Sequence, residues 1–151
     1  MDVILNFISN ILAAILPAVF GKKETSEHEK QYEKFRYEVA TALTMYARYY
    51  HSPVDLARLS DHSIPQEYEI ASTELRKLGS TARALAETIP EKGKKFPISK
   101  DDLMSVSGNL IGLSNSMCTP YNCGTSWEDR DAVREYEAEI RELLCIEKNA
   151  L

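Results

Sequence analysis

Cysteine, glycine, proline and net charge are all scarce in this chain, and each shortage closes off a class of explanation. Cys118, Cys123 and Cys145 are an odd, sparse set in 151 residues, which builds no disulfide framework and fits a reducing compartment. Cys118 and Cys123 stand as C-x4-C with His51 and His62 distant in sequence, a poor match to the short ligand spacings of zinc sites, so no metal is expected. Glycine and proline, 6 each, fall mainly between periodic segments and form no low-complexity tract. Strand-type alternation is absent. With 18 basic and 23 acidic residues the net charge is −5, which leaves no global basic footprint for a nucleic-acid polymer. No nucleophile, base and orienting group are legible together, so no catalytic residue and no cofactor are assigned, and an enzyme is the least supported class.

The shortage of charge is complete over positions 3–20, which are mostly Val, Ile, Leu, Phe and Ala. As a helix this run covers about 27 Å, close to the hydrocarbon thickness of a bilayer. It reads as a membrane-spanning anchor (1–21), followed by a hydrophilic joint (22–25) and a water-soluble domain (26–151). Met1 and Asp2 supply no basic n-region, so a cleaved signal peptide is disfavoured. Lys22 and Lys23 follow the run, which orients a single-pass protein with its domain in the cytosol. Asn6, Ser9 and Asn10 dilute the span as a polar stripe suited to contacts between neighbouring spans.

The domain reads as four amphipathic helices. Ser26 and Glu29 form a capping box, and Tyr32, Phe35, Val39, Ala42, Tyr46 and Tyr49 follow at helical spacing, with Leu43 and Tyr50 widening the stripe. Pro53 ends that helix, and 54–63 is a polar connection with a short helical turn expected around Asp55 to Arg58. The second helix opens near Pro65 and carries Tyr68, Ala71, Leu75, Leu78, Ala82, Leu85 and Ile89 until Pro90 stops it. The third, capped by Ser99, carries Leu103, Val106, Leu110, Leu113 and Met117. The fourth, after a turn at 118–125, carries Val133, Tyr136, Ile140, Leu143 and Leu144, with Cys145 as a small core residue beside them. The class is all-α: an N-terminal single transmembrane helix and an antiparallel four-helix bundle.

Two surfaces stand out. Up-and-down topology brings Lys92, Lys94, Lys95 and Phe96 to the same end as Lys22 and Lys23, where they are expected to meet anionic lipid. On the third helix Ser105, Gly108, Asn109, Gly112 and Asn115 make a small, uncharged face, expected to receive a partner or ligand, or to pack tightly inside the bundle. Arg48, Arg76, Arg83, Glu74 and Glu87 read as a solvated face with i,i+4 pairing.

The Tyr-rich end Met45-Tyr46-Ala47-Arg48-Tyr49-Tyr50, the segment Glu74-Leu75-Arg76-Lys77-Leu78-Gly79 with Ala84-Leu85-Ala86-Glu87, Leu110-Ile111-Gly112-Leu113-Ser114-Asn115-Ser116, and Asp131-Ala132-Val133 with Ile140-Arg141-Glu142-Leu143-Leu144 together resemble a loosely defined group of short bacterial membrane-anchored helical proteins. The resemblance implies a bacterial or phage source and an anchored helical domain, and brings no activity and no site residues. The expected function is a non-enzymatic, membrane-anchored interaction module, self-associating as a homo-oligomer and open to a protein partner or small ligand. The alternative is a ligand-gated membrane effector of the antiphage type, whose soluble domain binds a small signal such as a nucleotide.

Overall fold

The structure is a computed structural model, and it describes residues 26–55, 63–89, 96–119 and 127–147. Helix α1 spans Glu27–His51, α2 Gln66–Thr88, α3 Lys100–Asn115 and α4 Trp127–Leu143. The expected capping box starts α1: Ser26 Oγ accepts from the Glu29 N–H at 3.3 Å, and the Glu29 carboxylate accepts from the Ser26 N–H at 3.3 Å. Ser99 Oγ accepts from the Asp102 N–H at 3.0 Å to start α3. At α2 the N-cap residue is Pro65, whose side chain supplies no capping hydrogen bond; its φ of −55° is already near the helical value.

Residue pairs across the seams fix the directions. Tyr49 meets Tyr68 at 4.8 Å between ring centroids, so the end of α1 lies beside the start of α2. Ser72 bonds Ser114 while Gly79 lies against Ser107 and Ile111, so α2 and α3 are antiparallel. Arg36 reaches Leu144 and Cys145 while His51 reaches Glu137, so α1 and α4 are antiparallel as well. The result is the expected antiparallel four-helix bundle, with α2–α3 the most extensive seam and α4 closing the ring against α1 and α3.

The core runs down the middle. Leu103, Val106, Leu110 and Leu113 of α3 and Met117 just after it are fully enclosed, and Phe35, Val39, Leu43, Leu75, Ile140 and Leu144 join them in one core. Tyr50 is buried with its hydroxyl donating to the Leu43 carbonyl at 2.8 Å, which satisfies the polar atom that burial would otherwise strand. On α2 the buried stripe departs from the expected one: Ala86 is enclosed and Leu85 is only half-buried. A straight helix at 3.6 residues per turn drifts relative to a strict heptad, so the inward line passes from Leu75 and Leu78 through Gly79 and Ala82 to Ala86.

Two further features depart from the sequence reading, and one expectation lies outside the described residues. Val54–Asp55 (β1), in the stretch read as a polar connection, pairs in parallel with Cys118–Thr119 (β2); the rest of the turn expected around Asp55 to Arg58 lies outside the described residues. This two-residue ladder, reinforced by Val54 N–H donating to the Met117 carbonyl at 2.9 Å, ties together the ends of the diagonal helices α1 and α3. Cys145 is exposed and has φ 50°, a left-handed conformation that ends α4, so it is a terminus residue and not a core one. The expected span 3–20 lies outside the described residues; among the described helices none is long and apolar enough to cross a membrane.

Candidate functional site

The small-residue face of α3 divides between the inside and the outside of the bundle. Ser107 and Ser114 are buried against α2, and a Cβ added at Gly79 would stand 3.1 Å from the Ser107 carbonyl oxygen. Small residues on both helices therefore permit a close backbone approach. Gly112 turns to α4, where an added Cβ would stand 2.7 Å from Tyr136 Cε2. Ser105, Gly108 and Asn115 are exposed, and an added Cβ at Gly108 would meet nothing within 4 Å. Asn109 is half-buried, and its enclosed Nδ2 has no hydrogen-bond partner among the described residues. Of the five residues expected to form one surface, Gly112 is thus occupied within the chain while Ser105, Gly108 and Asn115 face outward.

At the α2–α3 seam two serines lock the helices. Ser72 Oγ and Ser114 Oγ are 2.8 Å apart, and Ser114 Oγ donates to the Ser72 carbonyl at 3.0 Å. Beside this lock, Arg76 Nη2 donates to Asn115 Oδ1 at 2.9 Å. Ser72, Thr73, Arg76, Lys77 and Ser80 line an open hollow of about 300 Å³. It continues into a second of about 360 Å³ that adds Ile64, Glu69, Ser114 and Asn115. Sequence reading placed Arg76 in a solvated face with i,i+4 ion pairs; it is exposed, but its partner is a helix-terminal asparagine across the seam. The available signal was the repeat of Ser72, Arg76 and Ser80 at four-residue spacing, one position off the apolar stripe.

A second polar cluster joins α1 to α4. Glu137 is buried, with Oε2 2.7 Å from His51 Nε2 and Oε1 accepting from Arg141 Nε at 2.9 Å. Burial pushes the Glu137 carboxyl up, but the hydrogen bonds and charges of Arg141 and His51 together outweigh it and hold the carboxyl below its ordinary value. Burial also raises Tyr50, with the Glu137 charge adding to the effect. The sequence held the clue: Val133, Glu137, Ile140 and Leu144 alternate four, three and four, so a carboxylate occupies a core position. Among the described residues no group of three His, Cys, Asp or Glu side chains is placed to hold a metal.

At the opposite end Phe96 packs edge-on against Tyr32, with ring centroids 5.6 Å apart, beside the start of α1. Lys22, Lys23, Lys92, Lys94 and Lys95 lie outside the described residues. No known protein family matches the chain, and no curated protein or solved structure is significantly similar to it.

Proposed function

We propose that this chain is a non-enzymatic, membrane-anchored helical interaction module that associates with further copies of itself. The observation that carries the reading is the outward face of α3. Beyond its first turn, the exposed residues of that helix are Ser105, Gly108 and Asn115, all uncharged, whereas a solvated helix normally presents Lys, Arg or Glu there. Gly108 leaves open space at the centre of that face, so a second helix can approach its backbone closely. The uncharged stretch 3–20 supports the anchor, and Lys22 and Lys23 support a cytosolic domain. The contact of Phe96 with Tyr32 supports bringing Lys92, Lys94 and Lys95 near the membrane end, as an electrostatic contact with anionic lipid.

The test is the mass of the detergent-extracted full chain by light scattering. The wild type is expected to be oligomeric. Gly108→Glu should reduce the oligomer and leave the helical circular dichroism unchanged, because the new side chain enters open space. A monomeric wild type overturns self-association, and extraction of the full chain by alkaline carbonate overturns the anchor.

A second reading, the ligand-gated membrane effector, is favoured by one observation. The second part of the hollow beside Arg76 is lined by Ser72 and Arg76 of α2 and by Ser114 and Asn115 of α3, so an occupant there would bear on how those helices pack.

A further inference from the structure

We propose that the Arg76–Lys77 end of the α2–α3 hollow binds the phosphate group of a small phosphorylated molecule. The inference rests on the ligand-binding reading of the hollow and does not depend on self-association.

The chain is acidic overall, at −5, yet neither Arg76 nor Lys77 has a carboxylate within ion-pair distance among the described residues. Two adjacent cations without acidic partners produce a local positive potential that an anion neutralises. The Asn115 bond holds the Arg76 guanidinium by one nitrogen and leaves the rest of its N–H fork to a planar pair of oxyanion oxygens. Lys77 adds an exposed ammonium, and the exposed Thr73 adds a hydroxyl donor. Ser80 is a wall rather than a donor, since its hydroxyl is spent on the Arg76 carbonyl at 3.1 Å. The resulting donor set is cationic and hydroxylic, and it is anchored to a seam fixed by the Ser72–Ser114 lock.

The continuation of the hollow gives the ligand its polarity. Glu69 and Ile64 line the second part together with Arg76, whereas Lys77 lines only the first. Glu69 repels a second anion there and accepts hydrogen bonds from hydroxyl or amino groups, while Ile64, an exposed apolar side chain, offers a surface to stack on. The hollow is therefore matched to a phosphate at one end and an uncharged, donor-bearing body at the other. Glu69 disfavours a second anionic group at that end.

The experiment uses the full chain in phosphatidylcholine nanodiscs, titrated with inorganic phosphate and, separately, with succinate, at matched ionic strength. Phosphate is expected to bind saturably by phosphorus NMR or calorimetry. Arg76→Gln should weaken it at least about tenfold, the loss of a charge-assisted contact, and Lys77→Gln should weaken it several-fold. Arg83→Gln, on the same helix but outside the hollow, should leave it unchanged. Repeating the titration with phosphatidic acid in the disc separates the sources. Loss of phosphate uptake assigns the site to a lipid headgroup and retention assigns it to a free molecule, both with the proposed chemistry. Succinate binding that depends on Arg76, without phosphate binding, overturns the phosphate assignment and keeps the ligand-binding reading. Binding of neither anion, or equal losses for Arg76→Gln and Arg83→Gln, overturns both.

Discussion

Gly112 lies against the ring of Tyr136, so close that a Cβ on Gly112 would stand 2.7 Å from Cε2. Gly108, one turn earlier on the same helix, meets nothing within 4 Å. The two glycines should therefore respond in opposite ways. Gly112→Leu forces the tyrosine off α3 and should lower stability by about 1–3 kcal/mol, as overpacking does. Gly108→Ala removes the backbone entropy of a helical glycine without a clash and should raise stability by about 0.5–1 kcal/mol. Urea unfolding of both variants checks this, and equal responses would show that the helix is rotated from its assigned position.

The Glu137 cluster predicts a pH dependence. Glu137 has a folded-state pKa below its unfolded one, so its contribution is present above the ordinary carboxylate range and is lost as pH falls through the folded value. Glu137→Gln should be less stable than wild type by about 1–3 kcal/mol at neutral pH, since the charge-assisted bonds to Arg141 and His51 weaken. As pH drops below the ordinary glutamate range, wild-type Glu137 gains a proton and comes to resemble glutamine, so the difference should shrink. Thermal unfolding from neutral to acid pH measures it, and a constant gap would mean that the carboxylate is not held ionised by its partners.

The helices were legible because their signals are local or strictly periodic. The Ser26–Glu29 box and the Ser99 cap act within one turn, and the α3 stripe from Leu103 to Met117 is buried throughout. What escaped reading depends on contacts distant in the chain. Pairing of Val54 with Cys118 is a property of two helix ends meeting, and no pattern in either segment announces it. Arg76 shows the same limit: its meaning comes from Asn115 on another helix, whereas in sequence it is one more exposed arginine. The α3 face was visible as small and uncharged, but which glycine faces Tyr136 follows only from where α4 packs.

The drift of the α2 stripe is testable with two leucines of equal size. Leu75 is fully enclosed and Leu85 half-buried. Leu75→Ala should cost about 2–5 kcal/mol and Leu85→Ala clearly less, because the latter leaves a dent open to water and not a closed cavity. A strict heptad seam would make the two losses alike, which chemical denaturation of the pair would reveal.

The end of α4 shows how one residue outside the core sets a helix terminus. Cys145 sits at φ 50°, with its N–H donating to the Glu142 carbonyl at 3.1 Å and the Ile146 N–H donating to the Arg141 carbonyl at 2.8 Å. That is the Schellman arrangement, in which the left-handed position is normally glycine. Arg36 of α1 completes it from across the bundle, donating to the Leu144 carbonyl at 2.6 Å and the Cys145 carbonyl at 2.8 Å. Two substitutions should move stability in opposite directions. Cys145→Gly relieves the steric cost of a side chain in the left-handed region and should stabilise the chain by about 0.5–1 kcal/mol. Arg36→Met keeps the aliphatic stem but strips two carbonyls of their donor, and should destabilise it by about 1–3 kcal/mol. Paired melting curves decide the matter: a stabilising Arg36→Met, or a destabilising Cys145→Gly, would mean that α4 does not end where these bonds place it.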